Sequence, residues 1–520
     1  MKTKICNVWT KHTAQLIVVF AVLLALFGSS GCQNPSPPRL TAEDRRSDVE
    51  FLAQWARDYH PCVEVASKAR GLPDYEELLP KYMDLAEQAE TNEAFLHVVW
   101  GYFTLIRDSG HGYLLPEDML LTYMSDSRRR GTKGLSDIPW VQFREATYWA
   151  KLHKKSHAHA PFRINREGED YFTSEDWSSK GKRIPGGAQI IRINGMSCSE
   201  YKDYLKRETA LRYVAGDADR QTEPLLVMNE EPGFRGWDVS FRLPDGSEFD
   251  RFVPRREGYK DTSRFMNWRK ENCKCVELSN EVGYVRIKLM IDEYSESDRN
   301  KIRRFLEKSK GRYKKLIIDL RHNGGGSTFY TDDNLIRPFL NEPLVYKLIS
   351  GIKRKFLEDD LFFVRSGCGA WETAVDEVPP PEGFDPNRWI FYEISREVHP
   401  LKRYVFEGDI YVLMDRKSAS ATEKYLDAVK RTGLATLVGQ RSSGALCGYI
   451  IAPVVRLPAS GMIFRMEADL NVNPDGSFNE LVGVQPDVEL PPCPLPNRAD
   501  RETLLKDAWI KAVINGLNSP

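Results

Sequence analysis

Apolar side chains recur at three- and four-residue intervals from Thr41 to about Ile106. Val49, Leu52, Trp55, Ala56 and Tyr59 form one stripe behind Thr41, a residue suited to cap the helix, and Phe95, Val98, Val99, Tyr102 and Ile106 form a second. The second pattern stops at DSGHGY, where Gly110 and Gly112 flank His111 and break the helix. Between about 135 and 260 the texture turns to strands and turns. GGAQIIRINGMSC sets an apolar run before the tight turn Asn194-Gly195, with a helix expected in SEYKDYLKRE, and WDVSFRLPDGSEFDRFV alternates about Pro244-Asp245-Gly246 as a hairpin. From about 280 onward GYVRIKLM, DRNKIRRFLEKS, KLIIDL, a helix after NGGGS, DIYVLMD, a helix from SASATE and ATLVGQ follow one another. Repeated βαβ units of this kind predict an α/β core with mostly parallel strands. Residues 355–405, with Pro379-Pro380-Pro381 and several aromatics, break the rhythm and read as an irregular lid or binding loop, with a disordered spacer as the alternative.

Length and charge narrow the choices. At 520 residues the chain has room for two to four domains, and its 74 basic and 74 acidic side chains cancel, which argues against nucleic acid as a partner. Lys2, Lys4 and Lys11 precede LIVVFAVLLALF, a run shorter than the roughly 20 apolar residues that span a bilayer comfortably, so residues 1–32 read as an export signal. Ser29-Ser30-Gly31-Cys32 resembles a bacterial lipoprotein box, with Ser29 where leucine is usual. The resemblance implies cleavage before Cys32, acylation of its thiol and a lipid anchor in the cell envelope; an ordinary secretory signal is the alternative. Residues 33–42, opening QNPSPPRL, read as a tether to a helical region over 43–130. Seven further cysteines, an odd number without zinc-site spacing, receive no chemistry, and HKKSHAH reads as a solvated basic loop. No metal or other cofactor is expected.

Two corners carry candidate chemistry. SASATE places Ser420 at the first turn of a helix running through Tyr425, Leu426 and Val429 to Gly433, where backbone amides lack helical partners and the dipole is positive. A serine there is either a cap or a nucleophile, and the Ala421 amide stands ready for an oxyanion. LIIDLRHNGGGS ends a buried strand with Gly324, Gly325 and Gly326, whose lack of side chains lets an amide approach a bound group. No Gly-Lys-Ser/Thr follows, so a phosphate loop is disfavoured. Two such corners at the ends of parallel strands bring donors to one carbonyl oxygen, the geometry acyl transfer needs.

LIIDLRHNGGGS, YVLMDRKSASATEKYLDAVKRTGLATLVGQRSSG and GSFNELVGVQPDVEL, in this order, resemble the carboxyl-terminal processing (tail-specific) serine peptidases, in particular their tricorn-core-like branch. The resemblance covers roughly residues 275–492 and implies a crotonase-like fold of ββα units, placed at 275–500. In the family's Ser-x-x-Glu motif the serine is the nucleophile, here Ser420 with Glu423. GGAQIIRING likewise resembles PDZ modules, with Ala188 and Gln189 where Gly-Asp is common, which implies a PDZ-like module over 135–262 that delivers a polypeptide tail. One branch of the family uses a lysine base, but GQRSSGALCGYI offers Arg441 and Ala445, and a guanidinium holds its proton. The tricorn-like branch takes a histidine from the helical part, matched by His111 in RDSGHGYLLP, whose ordinary pKa suits proton abstraction from serine. His60 and His322 are competitors. A glutamate near Gly-Val-x-Pro-Asp orients the histidine, and Glu480 matches; it contacts His111 directly, through Ser109, or lies at the surface. The implied activity is that of an exported serine peptidase with Gly325, Gly326 and Ala421 as oxyanion donors. A non-catalytic lipid- or peptide-binding lipoprotein and an acyl-thioester enzyme are the rival readings.

Overall fold

The computed structural model describes residues 38–106 apart from 62 and 64–73; 112–201 apart from 118, 121–139, 157, 160, 163, 168–169, 174–175 and 180–181; 235–257 apart from 255; 271–358; 375–401; 406–446; 454–493 apart from 468; and 495–517 apart from 497. At the centre lies a six-stranded sheet in the order Cys273–Glu277, Val282–Ile287, Lys315–Asp319, Asp409–Met414, Thr436–Gly439, Val488–Glu489. The first pair is antiparallel and the rest are parallel, as the alternation predicts. The inner strands are almost wholly apolar because both faces are covered. Leu316, Ile318, Val412 and Met414 pack with the Asp292–Ser309 and Ala421–Thr432 helices, while Ile317, Leu413 and Val438 meet Trp509, Ile510 and Val513 of the C-terminal helix.

One buried ion network ties that C-terminal helix to the sheet. Arg321 donates through Nε and Nη2 to Asp319 and through Nη1 to Asp507 (2.9 Å), and the Tyr284 hydroxyl donates to Asp319 at 2.7 Å. Burial alone would raise the Asp319 carboxyl, but Arg321, Arg286 and the tyrosine hydroxyl overcome it and hold the acid below its usual range. This network lies at the end of the strand that enters the glycine corner.

The segment expected to be an irregular lid contributes ordered strands instead. Leu344–Lys353 and Trp389–Val398 pair antiparallel along their full ten residues, flanked by Val375–Val378 and Leu470–Val472 in a four-stranded sheet. Their partners are distant in sequence, and Trp389 and Phe391 pack with Phe384 and Phe478 in an aromatic cluster, so neither strand shows plain alternation. Residues 359–374 lie outside the described residues.

The helical stripes form as predicted. Thr41 and Asp44 make a reciprocal capping box for Ala42–Tyr59, which buries Val49, Leu52, Trp55, Ala56 and Tyr59, and Asn92–Ile106 buries Phe95, Val99, Tyr102 and Ile106. Their shared core includes Ile352, Ile390, Val455 and Phe464, so this region docks on the antiparallel strands. Asp48 fastens the contact by accepting from the Ala459 and Ser460 amides at 2.9 and 2.8 Å. The Gln189–Ile193 strand, the Asn194-Gly195 turn and the Gly236–Arg242/Glu248–Pro254 hairpin fall where the sequence puts them, within a separate six-stranded sheet. Trp140–Ser156 is helical, however, within the region expected to hold strands and turns. It belongs with the helices: Trp149 packs on Phe95 and donates to the Ser460 carbonyl, and the His153 ring, expected in a solvated loop, packs tilted against Trp100 with centroids 4.5 Å apart. Among the described residues no helix is long and apolar enough to cross a membrane.

Candidate active site

The Asp409–Met414 strand turns into the Ala421–Thr432 helix through a corner fixed by its own side chains. Asp415 accepts from the His322 and Lys417 amides at 3.0 Å each. The Ser418 hydroxyl accepts from the Asp415 amide and donates to the Leu320 carbonyl, both at 3.0 Å. Ser418 is therefore a brace between the two corners. At its end Ser420 adopts φ 58° and ψ −123°, a conformation that costs a non-glycine residue about 1–3 kcal/mol and persists only where the surroundings impose it. A sharp strand-to-helix turn of this kind projects a hydroxyl from the top of a sheet.

Glu423 imposes much of that conformation. Its carboxylate is fully buried and accepts from five donors among the described residues: the Ser420, Gly444 and Ala445 amides and the Ser442 and Ser443 hydroxyls. The motif's glutamate is thus a clamp, joining the helix start to the 442–445 loop. That loop also accepts the Ser420 amide at the Ala445 carbonyl (3.0 Å), and Ser442 accepts from the Val484 amide at 2.7 Å.

The glycine corner approaches Ser420 from the neighbouring strand. A β-carbon on Gly325, at φ 89°, would lie 2.5 Å from the Ala419 carbonyl oxygen and 2.7 Å from both the Ala421 nitrogen and the Ser420 β-carbon. Only glycine fits. Fully buried Asn323 knits the corners together: its carbonyl accepts from the Ala419 amide, and its Oδ1 accepts from Thr422 Oγ1 and from the Gly325 amide, both at 2.9 Å. The Gly325 amide, expected to face an oxyanion, is therefore committed to Asn323 in this conformation. Gly325 and Gly326 are pinned from the other side by Met290, whose amide donates to the Gly325 carbonyl and whose carbonyl accepts from the Ser327 amide. Gly325→Ala is expected to lower kcat/KM by about 10²-fold or more, because displacing the corner by about an ångström misplaces the reacting atoms. Steady-state kinetics beside a thermal-unfolding control checks this.

Glu480 is fully buried, which removes the surface alternative. It accepts from the Asn471 amide (3.0 Å to Oε2) and from Asn471 Nδ2 (2.7 Å to Oε1). Its neighbour Asn479 accepts the Leu446 amide at 3.0 Å, next to the Ala445 that faces Ser420. His60 is buried, with Nε2 at 3.5 Å from Glu467, and His322 Nε2 lies 3.1 Å from Asp415. His111, Ser109, Gly110 and Cys32 lie outside the described residues. Asn323 and Asn471 were not found from the sequence. The place of Asn323 directly before a glycine run is a signal for a turn-stabilising amide, whereas nothing near Asn471 marks it.

Residues 281–490 match the family model described as peptidase family S41. The chain carries a domain of that family and is a serine-type peptidase. No curated protein matches it. Among solved structures it is similar to mature CPAF complexed with lactacystin, at 15% identity and a TM-score of 0.55 over 86% of this chain and 94% of that one. It is also similar to the photosystem II D1 C-terminal processing protease, at 17% identity and a TM-score of 0.40 over 86% and 93%. The first of these likenesses covers a larger share of the chain than residues 281–490 alone.

Proposed function

We propose that the chain is an exported, lipid-anchored endopeptidase that cuts polypeptides near their C-terminal tails through an acyl-enzyme on Ser420. His111 takes the Ser420 proton and returns it to the leaving amine, Glu480 orients the imidazole, and the Ala421 and Gly326 amides hold the oxyanion beside the Gly325 backbone. The observation that carries this reading is the strained Ser420, braced by Glu423 and met at contact distance by a glycine corner. A serine that merely caps a helix needs no positive φ. The role of His111 is supported by the described residues that follow it in the chain. The Tyr113–Leu114 strand pairs with Phe464 and Arg465, and the same chain segment continues to the Asn471 that holds Glu480. In this reading the 275–500 domain is crotonase-like, the sheet around Gln189–Ile193 is a PDZ-like module that presents the tail, and Cys32 carries the lipid.

The test is reaction with a fluorophosphonate probe. Wild-type protein is expected to be labelled at Ser420, and His111→Ala to slow labelling by about 10³-fold or more. An unlabelled wild-type protein that copurifies with lipid overturns the reading in favour of a carrier, and unchanged labelling of His111→Ala removes the histidine from its role.

A further inference from the structure

In the Asn471–Glu480 contact one residue offers a backbone and a side-chain donor to one buried carboxylate. Asn471 sits on the Leu470–Val472 strand, opposite Ser350 in the register of the antiparallel sheet, and it is 2% exposed. The chain turns back through Asn473–Ser477, with the Asn473 amide donating to the Ser477 carbonyl at 2.7 Å, and Val472 bridges Phe478. This hairpin sets Glu480 opposite Asn471. The Asn471 backbone N–H reaches Oε2 at 3.0 Å and Oε1 at 3.2 Å, and Nδ2 reaches Oε1 at 2.7 Å. A carboxylate removed from water needs donors of this kind to stay charged and to keep one orientation. The strand is anchored in turn, since Ser350 Oγ donates to Asp469 at 2.9 Å two residues before Asn471. Asn471 Oδ1, by contrast, is buried and has no hydrogen-bond partner among the described residues. Among the described residues Glu480 is therefore the side chain's one hydrogen-bond partner. An amide kept at 2% exposure with half of its hydrogen-bonding capacity unused is costly, which argues that the Nδ2 contact is what holds it there.

We infer that Asn471 is a positioning residue for catalysis: it fixes the Glu480 carboxylate in the orientation in which that group aligns the base. The inference rests on the proposed role of Glu480. Glu480 is carried on the four-residue Asn479–Val482 turn of helix, too short to hold a carboxylate rigidly by itself, and the facing strand contributes the Asn471 donors that orient it.

A double-mutant cycle on the full-length protein tests this, reading kcat and KM for an unstructured polypeptide together with the rate of fluorophosphonate labelling. Asn471→Leu is expected to lower kcat about 10- to 100-fold with KM unchanged, by analogy with the loss of a partner behind a reacting group. In a Glu480→Ala background the same substitution is expected to change nothing further. Asn471→Asp keeps the shape of the side chain but puts a carboxylate oxygen where Nδ2 donates, 2.7 Å from Glu480 Oε1, so at mildly alkaline pH it is expected to lose at least as much. It also serves if the leucine variant does not fold. Full activity in both Asn471 variants, or losses that add to that of Glu480→Ala, overturns the inference and leaves the proposed function standing. If Glu480→Ala itself turns over like wild type while Ser420→Ala is inactive, the role of Glu480 falls and the inference with it.

Discussion

Ser420→Ala is expected to abolish labelling by fluorophosphonate and to lower kcat for an unstructured polypeptide by about 10⁴-fold or more, with little change in fold. The hydroxyl supplies the bond-forming atom, so no neighbouring group replaces it; Ser418 is already committed to Leu320 and Asp415, and Thr422 to Asn323. Stability separates this from a cap. Removing a helix-capping serine costs about 1 kcal/mol, whereas Ser420 holds φ 58° against its preference. Ser420→Gly, equally inactive, is expected to raise stability by about 1 kcal/mol, because glycine enters this region without steric conflict. Chemical denaturation of the two variants beside wild type reads the difference. A glycine variant clearly less stable than wild type means that the corner is not under strain and that Ser420 is a structural cap.

Glu423→Ala should be the most destabilising single change at the site. Five donors converge on that carboxylate, three of them backbone amides that cannot rotate away, and the residue is fully inaccessible. Leaving such donors dry breaks a buried network at a cost on the order of 3–5 kcal/mol. Glu423→Gln keeps the volume but turns an NH₂ group toward N–H and O–H donors, so it is expected to recover only part of the loss. Activity should fall further than stability, since the 442–445 loop that accepts the Ser420 amide is held chiefly by this group. Denaturant unfolding and probe labelling on the same samples separate the two effects. If Glu423→Ala unfolds at the wild-type midpoint and labels at the wild-type rate, the clamp is not what holds Ser420 in place.

These two predictions concern residues three positions apart in one short motif, yet only one of the roles could be read from it. SASATE between an apolar strand and an amphipathic helix fixed the corner, because strand, turn and helix signals are local and each is satisfied within a few residues. The same holds for the Thr41 cap, the helical stripes and the hairpin about Pro244-Asp245-Gly246. The function of Glu423 was not legible, since its donors at 442–445 lie about twenty residues away and nothing local sets their direction. The Trp140–Ser156 helix and the paired strands at 344–353 and 389–398 escaped for a related reason: their apolar faces meet partners far off in the chain, and the pattern records burial but not against what.

The sequence by itself determined the order of strands and helices, the two corners and the serine at the mouth of a helix, because backbone preferences and periodic burial act over one or two turns. Tertiary structure decided which polar groups are dry, and so which must be paired: the burial of Glu480, its hold by Asn471, the commitment of the Gly325 amide to Asn323 and the five-donor clamp on Glu423. Those depend on hydrogen bonds between strands brought together across the sheets, and the desolvation that makes them obligatory exists only once the core has closed.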